Sequence, residues 1–194
     1  MIALVLAAVV GYAFGCISFA NIVARRNGIA DLRSVGDRNP GYWNARRLLG
    51  VRGAVPVLLL DAAKGAAAVA IGLIAAGVWG GVVAWGAVVL GHMFPVTMGF
   101  RGGRSLLCLA GGALVLVPLA CVVAAVALFV VRWRWDFARG IQAGLFVAPF
   151  AVWIIYGPNL VLYALVILLL GVGLRAYLAD RALRRDGIEK HQLD

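Results

Sequence analysis

Residues 105–131 read SLLCLAGGALVLVPLACVVAAVALFVV, an apolar run whose reading decides how the rest of the chain is arranged. A helix of about 20 residues crosses the ~30 Å hydrocarbon core, so the run is either one long tilted span or two short helices folded back at Val117 and Pro118. Proline has no N–H to lose in the first turn of a helix, and Pro118 therefore suits the start of a second segment. The flanking charges choose between the two. With a single crossing, Arg101 and Arg104 fall on the opposite side from Arg132, Arg134 and Arg139. With a fold-back, the basic stretches at 25–52, 101–104, 132–139 and 175–190 share one face, and the connections at 77–81, 117–119 and 157–159 carry no Lys or Arg. That partition is the positive-inside pattern. It predicts an all-α integral membrane protein of about seven hydrophobic helices, including a short helical hairpin at 105–131, with the N-terminus outside and the C-terminus cytoplasmic.

Working outward, the other apolar segments lie at about 2–24, 54–77, 79–98, 142–156 and 159–178. With 64% hydrophobic and 13% charged residues over 194 positions, too little polar surface exists to solvate a globule. The net charge of +10 is concentrated in the loops, so it calls for no nucleic acid. One polytopic domain spans 1–194, with cytoplasmic loops at about 25–52, 99–105 and 132–141 and a tail at 179–194. The first segment lacks a basic leader and stays apolar past Cys16, which reads as a retained span rather than a signal peptide. Cys16, Cys108 and Cys121 sit in apolar context without metal-ligand or redox spacing and read as buried, inert thiols. No metal or cofactor is expected.

Two polar stretches carry the chemistry. Residues 91–104, GHMFPVTMGFRGGR, end an apolar run in His92, Pro95 and then the pair Gly102–Gly103 between Arg101 and Arg104. Glycines let backbone N–H groups approach an anion and arginines neutralise it, giving a phosphate cradle at the bilayer surface; the alternative is a turn whose arginines face the cytoplasm. Residues 31–50, DLRSVGDRNPGYWNARRLLG, combine cationic Arg33, Arg38, Arg46 and Arg47 with Asn39 and Asn44, able to orient hydroxyls, and with Gly36 and Gly41 at tight turns. Tyr42 and Trp43 either shape a pocket or anchor at the interface. Asp61 and Lys64, one helical turn apart within an apolar segment, form either an ion pair or part of a site.

In order and spacing over about the first 108 residues, DLR-x-x-G-x-x-N-x-G-x-x-N, LLLD-x-x-KG and GH-x-FP-x-x-x-GF-R-GG-R resemble the bacterial acyl-phosphate:glycerol-3-phosphate acyltransferases, the PlsY family. The resemblance implies an inner-membrane enzyme with its active site facing the cytoplasm. It implies transfer of a fatty acyl group from acyl phosphate to the 1-hydroxyl of glycerol 3-phosphate, giving lysophosphatidic acid and phosphate in phospholipid synthesis. The substrates and membrane lipid are the implied contacts; a membrane-protein partner belongs to the competing, non-catalytic reading below. Carried over residue by residue, it implicates His92, Arg104 and Arg33 in catalysis. Gly36, Arg38, Asn39, Gly41, Asn44, Lys64, Arg101, Gly102, Gly103 and Ser105 would bind substrate. His92 either bonds phosphate or the attacking hydroxyl, or only ties the helix end to the first loop.

The departures from the family pattern are as informative. Gly15-Cys16 stands for Gly-Ser, and Ser18 for the proline that follows. Asp37 and Arg38 replace small residues before Asn39, and Tyr42 and Trp43 replace Ala-Thr before Asn44. Arg101 and Arg104 replace lysines, and Ser105 replaces a glycine. The stretch at 132–140, RWRWDFARG, replaces a serine-bearing loop and places Asp136 near the expected phosphate sites. Of the closing motif only Gly187 and Glu189 survive; counting back puts Tyr177 at the family's histidine and Asp180 at its asparagine. An acid in place of an amide repels phosphate and cannot donate to it. Catalytically degenerate lipid binding, a structural subunit role, or a different acceptor are the competing expectations.

Overall fold

The computed structural model describes residues 1–187, and every structured element among them is helical. Helices α1 (Ile2–Cys16), α2 (Phe19–Arg26), α3 (Tyr42–Met93), α4 (Leu106–Leu116), α5 (Pro118–Arg134), α6 (Phe137–Tyr156) and α7 (Leu160–Arg185) follow in order. Four stretches, 2–26, 42–98, 137–156 and 160–185, are long and apolar enough to cross a membrane. The exterior is correspondingly apolar, with Ile74, Phe146, Ile154 and Leu170 exposed, while Asn44, Asp61, Lys64 and His92 are buried. Glu189, Lys190 and the rest of the expected tail at 188–194 lie outside the described residues.

The 52 residues of α3 are not one rod. Gly50 takes φ 72°, and Ala76 and Gly77 leave helical geometry at φ −151° and 60°. At the second break the chain reverses: a Cβ on Gly72 would strike the Gly80 carbonyl, and one on Gly80 would strike the Gly72 carbonyl. The two arms therefore run antiparallel in close contact, as glycine permits in lipid. This brings Lys64 on the first arm to His92 on the second. The first span also differs from the sequence expectation of a continuous segment at 2–24. It breaks at Ile17, and Ser18 accepts a hydrogen bond from Asn21 N at 3.4 Å to begin α2.

The interruption expected at Val117 and Pro118 is present: α4 ends at Leu116 and Pro118 starts α5. The two short helices do not form a close hairpin, however, for α4 packs chiefly on α3 and α5 on α6. Glycines again set the partners. A Cβ on Gly111 of α4 would meet the Ala62 carbonyl of α3. The core centres on Trp85, fully buried, whose indole N–H donates to Leu109 O at 3.0 Å and fixes α4 against the second arm.

Candidate functional site

Breaking α1 inside an apolar environment frees carbonyls that must find donors. Lys64 Nζ donates to Ile17 O at 2.7 Å, and Thr97 Oγ1 donates to Cys16 O at 2.9 Å. Lys64 also lies 2.7 Å from Asp61 Oδ1 and 2.9 Å from His92 Nδ1. The ion pair anticipated from the one-turn spacing is thus the centre of a buried cluster rather than a free substrate ligand. Asp61, His92 and Cys108 approach closely enough to suggest a metal. The ammonium of Lys64 sits between Asp61 and His92 and already supplies the cation, so the donor set does not fit one. All three cysteines are free.

The Gly102–Gly103 pair differs from the expected cradle. Gly102 N–H donates to Met93 O and Gly103 N–H to His92 O, both at 3.0 Å. These N–H groups cap the end of α3 and are not offered to an anion. What the glycines provide is closeness: a Cβ on Gly102 would overlap the His92 carbonyl, and one on Gly103 would overlap the His92 ring at Nε2. Ser105 follows at φ 65° as the N-cap of α4, with its side chain buried and making no cap bond. Arg101 is exposed and does not line the cavity described below.

Most of the first loop's implicated residues build the loop itself. Asn44 is fully buried; its Nδ2 donates to Leu32 O and Val35 O, each at 2.9 Å, and its Oδ1 accepts from Asp37 N at 3.3 Å. Its amide is spent on backbone, which corrects its assignment to substrate. Gly36, at φ 59°, takes a position where a Cβ would strike Asn44 Oδ1. Gly41 begins α3, and its N–H donates to Asn39 O at 2.9 Å. Arg33 grips Asp31 through Nε and Nη2 and donates from Nη1 to Met98 O at 2.7 Å, tying this loop to the one after α3. Those hydrogen bonds hold the Asp31 carboxyl below the usual carboxylate range and raise the Arg33 guanidinium.

A cavity of about 160 Å³ opens where the first loop, the segment before α4 and the end of α7 meet. Arg38, Asn39, Arg104 and Arg175 line it together with Asp37 and Asp186. Arg104 donates to Asp180 Oδ1 at 2.9 Å and lies 3.5 Å from Asp37 Oδ2, while Arg38 pairs with Asp186. Asp180, expected to repel phosphate, pairs with Arg104 and so also competes with an anion for that guanidinium. Arg175 donates to Gly102 O at 3.0 Å, and its buried Nε has no hydrogen-bond partner among the described residues. Sequence reading missed Arg175 and Asp186; an arginine near the end of an apolar segment, two residues before Tyr177, was the signal for the first.

Tyr42, Trp43 and Asp136 do not line this cavity. Trp43 stacks edge-on with Tyr42 at 5.3 Å and with Phe137 at 5.1 Å, and Arg46 lies 5.2 Å over its ring. The aromatic pair therefore joins the start of α3 to the start of α6. Asp136 accepts from Arg139 N at 2.8 Å as the α6 cap. Its charge serves the helix N-terminus rather than a phosphate site.

The glycerol-3-phosphate acyltransferase family model matches residues 5–180. The glycerol-3-phosphate acyltransferase of Agrobacterium fabrum (strain C58 / ATCC 33970) is 36% identical over 163 residues, covering 80% of this chain and 76% of that protein. That of Thermoanaerobacter pseudethanolicus is 39% identical over 120 residues, or 62% of this chain; the chain spans only 61% of that relative's length. The fold is similar to the crystal structure of PlsY, an integral membrane glycerol 3-phosphate acyltransferase, in its glycerol 3-phosphate form. The TM-score is 0.83, with 24% identity, 96% of this chain and 94% of that chain covered. The family model thus runs from α1 into α7, as far as Asp180, and the chain belongs to the glycerol-3-phosphate acyltransferase family.

Proposed function

We propose that this protein transfers a fatty acyl group from acyl phosphate to the 1-hydroxyl of glycerol 3-phosphate, forming lysophosphatidic acid. The observation that carries the reading is the convergence of Arg38, Arg104 and Arg175 on one cavity beside the glycine pair. An acyl phosphate is already activated. The hydroxyl oxygen attacks the acyl carbon, the carbon–oxygen bond to phosphate breaks, and the hydroxyl proton departs with the phosphate as hydrogen phosphate. The protein's task is to hold two anionic groups together, stabilise the leaving phosphate and exclude water. Arg104 and Arg175 take the leaving phosphate, and Arg38 with Asn39 takes the acceptor. The carboxylates on Arg38 and Arg104 are exchanged for phosphate when substrate enters.

The same reading sets the chain in the bacterial inner membrane as a single polytopic domain of about seven hydrophobic helices, with the cavity and the loops at 25–52, 99–105 and 132–141 on the cytoplasmic side. Purified protein incubated with acyl phosphate should release phosphate, and release should depend on glycerol 3-phosphate. Folded protein that shows no acceptor-dependent release with several chain lengths would refute the activity.

A further inference from the structure

We propose that Lys64 and Asp61 are positioning residues that lock His92 as a neutral ring carrying its proton on Nε2, so that His92 acts at the site as a hydrogen-bond donor and not as a general base. An ammonium has three protons and no lone pair. Around Lys64 Nζ, Ile17 O at 2.7 Å and His92 Nδ1 at 2.9 Å stand as hydrogen-bond acceptors, and Asp61 Oδ1 at 2.7 Å makes a charge contact without hydrogen-bond geometry. A proton on Nδ1 would point at the ammonium, and Asp61, 3.9 Å from Nδ1, is too far to accept it. Nδ1 is therefore the bare nitrogen, and the ring proton resides on Nε2. Asp61, on the preceding turn of the same helix, sits beside the ammonium.

The direction of that N–H matters. The Nε2 edge lies against Gly103, where any Cβ would collide with it, and no group among the described residues accepts from it. His92 borders a space of about 10 Å³ together with Ser18, Gly102 and Gly103, room for a single oxygen atom, and Gly102 also borders the arginine-lined cavity. A substrate oxygen lodged there meets a fixed N–H donor whose ring is held from behind by a buried cation. This also explains why a lysine is buried at a helix break: it satisfies the freed Ile17 carbonyl and orients the ring in one contact set. The donor role rests on the acyltransferase reading; the tautomer does not.

Two measurements test it. In a His191→Gln background, leaving His92 as the remaining histidine of two, ¹⁵N-histidine NMR of the folded protein should show one neutral tautomer with a bare Nδ1. A protonated Nδ1, in either the other tautomer or the imidazolium, overturns the proposal. In the transfer assay His92→Gln, whose amide N–H reaches the Nε2 position and has no basic nitrogen, should keep kcat within about tenfold, whereas His92→Ala loses on the order of 10². Equal loss in both variants overturns the donor role. Wild-type protein without transfer activity would refute the acyltransferase reading instead, and the spectrum would still decide the tautomer.

Discussion

Replacing Asp180 by Asn should tighten the binding of phosphate to this protein. Arg104 is held by Asp180 at 2.9 Å and by Asp37 at 3.5 Å, so a phosphate reaching this guanidinium must displace a carboxylate and then remain beside it. For a unit negative charge on the far side of Arg104, a separation of roughly 6 Å from the displaced Asp180 charge sets the Coulomb scale. At that separation the repulsion is roughly 0.7 kcal/mol at the dielectric of water and roughly 3 kcal/mol at an effective dielectric of 20. The side chains of Arg104 and Asp180 are 21% and 24% exposed, which places the effect between these limits, at about 1–2 kcal/mol. That corresponds to about 5- to 30-fold in affinity. Calorimetric titration of the detergent-solubilised protein with inorganic phosphate measures it without reference to turnover, and Asp180→Ala separates loss of charge from gain of an amide donor. Unchanged or weaker phosphate binding by Asp180→Asn would refute the claim that Asp180 competes for Arg104.

Asn44→Asp keeps the acceptor for Asp37 N but removes both donors to Leu32 and Val35; it should destabilise the protein by about 1–3 kcal/mol and expose the first loop to limited proteolysis. Trp43→Ala should leave the KM for glycerol 3-phosphate unchanged, because the ring packs on Phe137 away from the cavity, while the thermal midpoint falls. The Asp31 carboxyl is depressed in the folded state, so its stabilisation is present above the ordinary carboxylate range and is lost as pH falls through the lower folded value. Thermal melts followed by tryptophan fluorescence should show that acid limb flattened in Asp31→Asn, with stability at neutral pH reduced. In a background lacking the native thiols, a cysteine replacing exposed Trp79 or Pro158 should label from outside intact cells and one replacing exposed Leu48 or Ala138 should not; the reverse pattern would overturn the orientation.

The sequence by itself determined the membrane class, the all-helical architecture, the interruption at Pro118 and the one-turn spacing of Asp61 and Lys64. Each depends on local properties: apolar length, a missing N–H, or a one-turn spacing within a helix. The family was legible for the same reason, since its motifs are continuous in the chain. What only the tertiary structure decided is which polar groups remain available for chemistry. Gly102, Gly103, Asn44 and Arg33 have the residue types of a phosphate site, yet their donors are committed to carbonyls at the ends and breaks of helices and to a neighbouring carboxylate. Asp180 read as an isolated change and Asp186 went unread, and α7 lays them against Arg104 and Arg38. The break of α1 at Ile17 was hidden because apolar residues continue through it. Donors and acceptors pair across the bundle, between residues dozens of positions apart, and composition and spacing carry no record of which carbonyl each buried N–H will find.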